Sequence, residues 1–250
     1  MSGQLEIEET IRHIKEKAYS YRSFEHFKRE TFSIIASIAE RIKGPIRMAD
    51  ISCGPAVLEG ILLSKFGKKI QEVHLLDIER GFLSVAREYL EDLKPDLATH
   101  VFDLNAPDDY PTIPDLNLIV STNAICHATS DSLQRLYRWC HASLQEDGML
   151  INQQTFGPFC KDFDQELLTQ CALLHNKGVL DNLDAELNRR SHLDTQRSGD
   201  PGYAAKAGGY AGLSMSVFEH LEILRSTGFV ADEIWRKGTS AMILALKEGL

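Results

Sequence analysis

The sequence predicts an α/β fold: a mostly parallel sheet of seven strands, with helices on both faces and an antiparallel C-terminal hairpin. Two observations predict it. Short apolar runs alternate with segments of helical periodicity between residues 46 and 154, which is typical of a parallel sheet covered by helices. Near the C-terminus, two apolar runs lie close enough in sequence to pair as a hairpin.

The first half of the chain contains two N-terminal helices and three strands. Apolar residues recur at helical spacing over 5–18 and 24–43, and Gly44–Pro45 ends the second helix. Strands are predicted over 46–51, 72–77 and 98–103, and helices over 55–66 and 81–93. We expect right-handed crossovers between these strands.

The second half continues the alternation and then interrupts it. A strand is predicted over 116–121, a helix over 130–145 closed by Glu146–Asp147–Gly148, and a strand over 149–154. The regular pattern resumes with a helix over 214–227 and strands over 229–236 and 240–246. These two strands form the predicted hairpin.

We interpret residues 1–250 as one domain with a helical cap over 1–44 and an inserted segment over 157–213 that covers the substrate. The stretch SGDPGYAAKAGGYAGL at 198–213 is rich in glycine and alanine and poor in large apolar groups. Such a stretch buries little surface, so we expect a mobile loop there.

The composition narrows the possible functions. The 250 residues carry a formal net charge of −9, which disfavours a nucleic-acid partner. The five cysteines form no CxxC pair, so neither a disulfide framework nor a metal site is expected, and a reducing cytoplasm is the simpler location. The charged N-terminus is unlike a signal peptide. No apolar run approaches the roughly 18 residues of a membrane span.

Polar residues follow the predicted strands, where open α/β sheets bind ligands. The stretch DISCGPA at 50–56 has an acid near a strand end and then a small-residue turn. Asp77 ends the second strand and Asp103 the third, and Asn123 and His127 follow the fourth. A carboxylate such as Asp77 accepts both hydroxyls of a ribose.

The turn at 50–56 favours a nucleoside over a dinucleotide. A pyrophosphate requires close backbone approach along a run of glycines. Ser52 and Ala56 occupy positions where glycines would stand, and Pro55 lacks an N–H donor. These residues disfavour a nicotinamide dehydrogenase.

In motif order and spacing, the chain resembles the class I S-adenosylmethionine-dependent methyltransferases, whose sheet is Rossmann-like. The resemblance covers roughly residues 20–155 and 214–248 and is carried by ADISCGPA, EVHLLDIERGFL, THVFDLNAP, LIVSTNAICHAT, LQEDGMLINQQ and the closing LEILRSTGFVADEIWRKGTSAMILALKEG. One glycine of the family's three, Gly54, is kept. The replacements at Ser52 and Ala56 tighten the loop or shift the methionine part of the cofactor.

The resemblance implies S-adenosyl-L-methionine as cofactor. It places Asp50 and Gly54 at the methionine moiety, Asp77 at the ribose and Asn123 near the sulfonium. Asp103 and Leu104 border the adenine, and Tyr21 closes over the cofactor. The complete predicted cofactor-binding set is Asp50, Ser52, Gly54, Asp77, Ile78, Asp103, Leu104, Asn123 and Tyr21.

Each of these residues also has a structural interpretation. Asp50 and Asp77 could cap the helices that follow them. Asp103 could form an Asx turn, and Asn123 could be a turn residue. His127 is a candidate general base for a hydroxyl acceptor, but a lone histidine is more often structural. The thiols of Cys53 and Cys126 lack the basic neighbours that would activate them.

The predicted function is methyl transfer to a small-molecule acceptor, with O-methylation favoured. The alternative is a catalytically inactive, methyltransferase-like binding or scaffold subunit, which the loss of two glycines would support. Gln153 or Gln154 points into the pocket, and Tyr203 and Tyr210 are candidate lid residues. We assign Gln153, Tyr203 and Tyr210 to the substrate site.

Overall fold

The computed structural model describes residues 25–93, 96–156, 215–237 and 240–248. The predicted helix over 5–18, the segment 157–213 and three predicted site residues, Tyr21, Tyr203 and Tyr210, lie outside these residues.

The strands form one seven-stranded sheet in the order β3-β2-β1-β4-β5-β7-β6. Strands β1 to β5 are parallel, whereas β7 runs antiparallel to both β5 and β6. Their bounds are β1 Ile46–Ile51, β2 Ile70–Asp77, β3 Asp96–Val101, β4 Leu116–Thr122, β5 Leu144–Thr155, β6 Phe229–Lys237 and β7 Ser240–Lys247. The predicted fold class, including the antiparallel hairpin, is therefore confirmed.

Helices cover both faces of this sheet. They are α1 Glu25–Arg41, α2 Val57–Phe66, α3 Arg80–Leu90, α4 Ser130–Ser143 and α5 Val217–Ser226. Apolar residues of α1, α2 and α3 form one core cluster with Met48, Val73 and Leu75 of the sheet. Residues of α4 and α5 form a second cluster with Ala49 and Leu76. Successive side chains of β1 and β2 point to opposite faces of the sheet, so the buried residues of each strand are divided between the two clusters.

The structure corrects three predicted boundaries. Helix α2 begins at Val57, after Pro55 and Ala56, because Ala56 has a left-handed backbone that helical residues do not adopt. Strand β3 ends at Val101, two residues before Asp103. The predicted turn at Glu146–Asp147–Gly148 lies within β5, which begins at Leu144 and contains Asp147 at φ 62°. The β4–β5 register shifts between Leu116 and Leu118, so this segment pairs irregularly with β4.

The α4/α5 face contains a buried polar network. Tyr137 of α4 lies with its hydroxyl 2.7 Å from Nδ1 of His220 in α5. Asn152 of β5 donates from Nδ2 to the Tyr137 hydroxyl at 3.3 Å, and Gln154 Nε2 lies 3.5 Å from His220 Nε2. All four side chains are fully buried. We call these four residues the Tyr137–His220 network.

Across the described ranges, the helices are all too short or too polar to cross a bilayer.

Candidate functional site

The carboxyl ends of β1 and β4 define the place where a ligand would lie. These two strands are neighbours in the centre of the sheet, and the chain leaves β1 toward β2 and leaves β4 toward β5, on opposite sides. In open α/β sheets, the crevice formed at such a change of direction is the usual ligand site.

In the loop after β1, three alternating residues have a left-handed backbone conformation. Ser52, Gly54 and Ala56 have φ values of 60°, 54° and 56°. Only glycine adopts this conformation without a steric cost. The loop therefore keeps a backbone suited to glycine at the two positions where glycine has been replaced. Among the described residues, no atom other than those of Gly54 and its two chain neighbours lies within 4 Å of the position that a Cβ on Gly54 would occupy, so this part of the structure leaves the loop open in front of Gly54.

Asp77 ties this loop to the end of β2. Its Oδ2 accepts a hydrogen bond from the Gly54 N–H at 2.9 Å, and its Oδ1 accepts one from the Glu79 N–H at 2.9 Å. Burial raises the pKa of the Asp77 carboxyl, while these N–H groups oppose that rise. Each oxygen keeps a second acceptor position. Asp77 thus shapes the turn before α3 but does not cap this helix, whose N-cap is Glu79 without a side-chain cap, so the interpretation of Asp77 as a helix cap is wrong. Its carboxyl retains the capacity to bind hydroxyls.

Asp50 does not cap α2. The N-cap position is Ala56, and no side chain caps the helix. The Asp50 side chain is only 2% exposed, and its Oδ1 has no hydrogen-bond partner. The structural interpretation of Asp50 as a helix cap is therefore wrong.

Glu59 of α2 is a second buried acid beside Asp50. Its side chain is 0% exposed, and apart from Asp50 neither of its carboxyl oxygens has a hydrogen-bond partner among the described residues. Burial is the main cause that raises the pKa of both carboxyls, and the charge of Glu59 raises that of Asp50 further. We call Asp50 and Glu59 the acid pair. The sequence analysis missed Glu59, although a lone charge within the apolar run VLEGILL could have indicated it.

The residues after β3 form a tight turn. Asp103 Oδ1 accepts a hydrogen bond from the Asn105 N–H at 2.8 Å, which is the Asx turn that the sequence left as an alternative. Leu104 is buried. Ile78, at the end of β2, is 52% exposed. An exposed isoleucine beside the open end of the sheet offers apolar surface to a flat ring.

The segment after β4 turns sharply at Asn123. This residue has φ 58°, and its N–H donates to the Gln153 carbonyl at 2.7 Å. It therefore fills the turn role that the sequence had left open. A short 3-10 helix, Ile125–His127, follows. Asn105 secures this helix, because its Nδ2 donates to the His127 carbonyl at 3.1 Å and its Oδ1 accepts from the Thr129 N–H at 2.7 Å.

Burial shifts the pKa values of His127 and of two cysteines. Partial burial lowers the pKa of His127, which favours the neutral imidazole that a general base requires. Burial raises the pKa of Cys126 to about 11 and that of Cys53 well above its ordinary value. Both thiols stay protonated near neutral pH, which agrees with the prediction that neither is a nucleophile.

Gln153 and Gln154 point to opposite faces of β5. Gln153 lies in register with Thr122 of β4 and shares the sheet face of Asp50, because both lie on the side of Val120 and Ile151. Gln154 belongs to the Tyr137–His220 network instead. Of the two candidates, Gln153 is the one on the face of the acid pair. It is buried.

The described residues contain no group of three or more histidine, cysteine, aspartate or glutamate side chains placed to hold a metal ion.

No protein-family model matches this sequence, and no curated protein does either. Solved structures match over most of the described fold. The S-adenosylmethionine-dependent methyltransferase SibL aligns with a TM-score of 0.57 at 13% identity, over 92% of this chain and 58% of that one. The CurJ carbon methyltransferase aligns with a TM-score of 0.57 at 15% identity, over 87% and 54%.

A third structure, an O-methyltransferase family protein from Burkholderia thailandensis, aligns with a TM-score of 0.58 at 9% identity, over 94% of this chain and 63% of that one. The chain has the class I methyltransferase fold. It spans somewhat more than half of the length of these three methyltransferases. At such low identity, the likeness concerns the fold alone.

The chemistry of the residues at the open end of β1 can be compared with S-adenosylmethionine, the cofactor that the name of SibL gives. Its methionine part carries an ammonium group, and Asp50 offers a buried carboxyl oxygen without a partner. Its ribose carries two hydroxyls, and each Asp77 oxygen has one acceptor position left. The open space in front of Gly54 leaves room for a ligand against the backbone.

Proposed function

We propose that this chain binds S-adenosyl-L-methionine and transfers its methyl group to a small-molecule acceptor. The observation that supports the proposal best is the loop at 52–56. It keeps left-handed backbone at Ser52 and Ala56 despite the missing glycines, and it leaves the space before Gly54 open. This conformation costs roughly 1 kcal/mol at each non-glycine residue. Asp115, Asn123 and Asp147 also adopt it, but Asn and Asp favour it, whereas Ser52 and Ala56 are residue types without that preference.

In this proposal, the two acids at the strand ends hold the cofactor. Asp50 receives the ammonium of the methionine part, and Ser52 and Gly54 lie against that part. Asp77 receives the ribose hydroxyls. Ile78, Asp103 and Leu104 border the adenine, and Asn123 lies near the sulfonium. Tyr21 closes over the cofactor from the N-terminal part of the chain.

The bound cofactor supplies an electrophilic methyl group, and this chain's own residues align the acceptor with it and exclude water. With a hydroxyl acceptor, His127 takes the proton as the new bond forms, because its lowered pKa leaves the imidazole neutral. Gln153 contributes a polar contact to the acceptor from β5. Tyr203, Tyr210 and the rest of 157–213 form the cover.

The acceptor is a metabolite in this proposal, because the net charge of −9 disfavours a polyanion such as RNA or DNA. We favour an oxygen acceptor because of His127. The alternative of an inactive scaffold subunit drew its support from the lost glycines. That support is weakened because Ser52 and Ala56 keep the left-handed backbone conformation that glycine favours.

The first test is calorimetric titration with S-adenosylhomocysteine, and with NAD as the competing ligand class. We expect S-adenosylhomocysteine to bind and NAD not to bind. Asp50→Asn keeps the side-chain volume and removes the charge, so it should weaken binding by roughly 10- to 100-fold. Asp232→Asn, at an exposed position of the β6 edge strand, is the matched control. Failure of S-adenosylhomocysteine to bind, or preference for NAD, overturns the proposal.

The second test concerns the role of His127 in turnover. Once an acceptor is found by screening hydroxyl, amine and carbon nucleophiles, His127→Asn should lower kcat by roughly 10²- to 10⁴-fold for a hydroxyl acceptor. The dissociation constant of S-adenosylhomocysteine should not change. Unchanged kcat with a hydroxyl acceptor would exclude His127 as the base. Binding without turnover across the whole screen would favour the scaffold subunit.

A further inference from the structure

The acid pair is the most unusual feature of the described chain. Two carboxyl groups are buried beside each other at the end of β1 and in the first turn of α2. The two carboxyls interact with each other directly, which requires that they share a proton. Outside the pair, Asp50 Oδ1 and the two Glu59 oxygens have no hydrogen-bond partner among the described residues. Buried polar groups normally have such partners, so an isolated buried pair of acids requires an explanation.

No positive charge of the described chain compensates the acid pair. The other titratable groups that act on its surroundings are acidic: Asp77 from β2 and the Cys53 thiol from the loop. The neighbouring β4 residues, Val120 and Ser121, are neutral. No lysine, arginine or histidine among the described residues forms an ion pair with Asp50 or Glu59. Two buried carboxylates without a cation cannot both stay ionised.

We infer that the acid pair is a proton-exchanging receptor for a primary ammonium group: it holds a proton in the ligand-free protein and releases it to solvent when the cofactor's ammonium binds. The inference rests on the proposed function and adds Glu59 to the site. Charge balances in this exchange, because one positive charge enters the buried site as one proton leaves it. No bond is formed or broken except that of the proton to a carboxyl oxygen.

A consequence is that affinity for the cofactor rises with pH. Below the apparent pKa of the pair, each pH unit should raise the association constant by up to about tenfold, since a proton competes with the ammonium. A ligand with the same nucleoside but no amino group should not show this dependence. The nucleoside 5′-methylthioadenosine is such a ligand.

The test is calorimetry of S-adenosylhomocysteine binding at one pH, near 6.5, in phosphate and in imidazole, two buffers of this pH range whose ionisation enthalpies differ strongly. The dependence of the observed enthalpy on the buffer gives the number of protons released. We expect about one proton for S-adenosylhomocysteine and none for 5′-methylthioadenosine. Glu59→Gln should reduce the release and flatten the pH dependence, and Glu88→Gln, on an exposed position of α3, should change neither.

The outcomes separate this inference from the proposed function. Binding of S-adenosylhomocysteine without buffer dependence would overturn the inference and leave the function intact. Equal proton release by both ligands would also overturn it, because the release would then not come from the ammonium. If S-adenosylhomocysteine does not bind at any pH, the proposed function fails first.

A ligand-free measurement checks the same pair even if a variant binds poorly. The raised pKa of a folded carboxyl means that the folded state keeps protons that the unfolded state has lost above about pH 4. The acid pair therefore stabilises the fold less as pH rises, and its contribution to the Tm of the ligand-free protein should fall as the pH rises above about 4. In Glu59→Gln this fall should become smaller. A pH-independent difference in Tm between the two proteins would overturn the inference.

Discussion

Two buried polar clusters lie on opposite faces of the sheet, and they differ in how their polar atoms are paired. In the Tyr137–His220 network, Asn152 donates to the Tyr137 hydroxyl, which lies 2.7 Å from His220 Nδ1. In the acid pair, Asp50 Oδ1 and both Glu59 oxygens have no partner outside the pair among the described residues. The network also leaves two oxygens unpaired, Asn152 Oδ1 and Gln154 Oε1, but these belong to neutral amides, whereas a carboxyl group is far more costly to bury when it is ionised. The network is therefore interpreted as a structural element and the acid pair as a site that a ligand completes.

The chemistry of His220 supports the structural role of the network. If Tyr137 donates its proton to Nδ1, the neutral ring carries its own proton on Nε2. This atom lies 3.5 Å from Nε2 of Gln154. If the side-chain amide is flipped, which exchanges its nitrogen and oxygen, the amide oxygen accepts this proton. Burial lowers the pKa of His220 to about 4, so the ring stays neutral at neutral pH.

The largest expected effect is an acid-induced loss of stability from His220. The unfolded state takes up a proton below about pH 6.5, whereas the folded ring resists protonation down to about pH 4. The contribution of His220 to the free energy of unfolding should therefore fall by about 3 kcal/mol between these pH values. The acid pair acts in the opposite direction, so the difference between the unmodified protein and a His220 variant isolates this contribution. Urea unfolding at several pH values measures this effect, and His220→Gln should remove most of it. If the free energy of unfolding of the variant fell equally at acidic pH, His220 would not be the sensitive group.

A smaller loss is expected from Tyr137→Phe. The substitution keeps the ring and removes the hydroxyl, so His220 Nδ1 and the Asn152 amide lose a partner in a fully buried place. The free energy of unfolding should fall by about 2 kcal/mol. The dissociation constant of S-adenosylhomocysteine should stay the same. If the affinity changed more than the stability, the comparison between the two clusters would fail.

The smallest effect has the opposite sign and concerns the loop beside the acid pair. Ser52→Gly should stabilise the ligand-free protein by about 1 kcal/mol, because a residue at φ 60° loses its steric cost when it becomes glycine. Ser84→Gly is the matched control: Ser84 lies in α3, where glycine is unfavourable, and should lower stability by a few tenths of a kcal/mol. Destabilisation by Ser52→Gly would show that the Ser52 side chain supports the loop.

Much of the architecture could be predicted from sequence. The period of the apolar residues located every described strand to within a few residues, because core burial imposes that period directly. Two of the three wrong boundaries, at Ala56 and at Leu144, depend on local left-handed backbone at Ala56 and Asp147. Alanine gives no sign of this conformation, and aspartate favours it far less than glycine does.

The candidate site was predictable only in part. Asp50 and Asp77 were found because their position at strand ends is visible in the sequence. Glu59 was not found, since an acid in the first turn of a helix is ordinarily exposed and favourable there. The choice between Gln153 and Gln154 also required the register of β5, because adjacent residues of a strand point to opposite faces.

The sequence by itself determined the order of strands and helices along the chain, the acidic character of the protein and the acids at the strand ends, since all of these follow from residue type and periodicity. Only the tertiary structure decided which acids are buried together and which keep partners. Burial and pairing depend on residues distant along the chain, such as Tyr137 and His220 or Gly54 and Asp77, which are brought together by the packing of helices on the sheet.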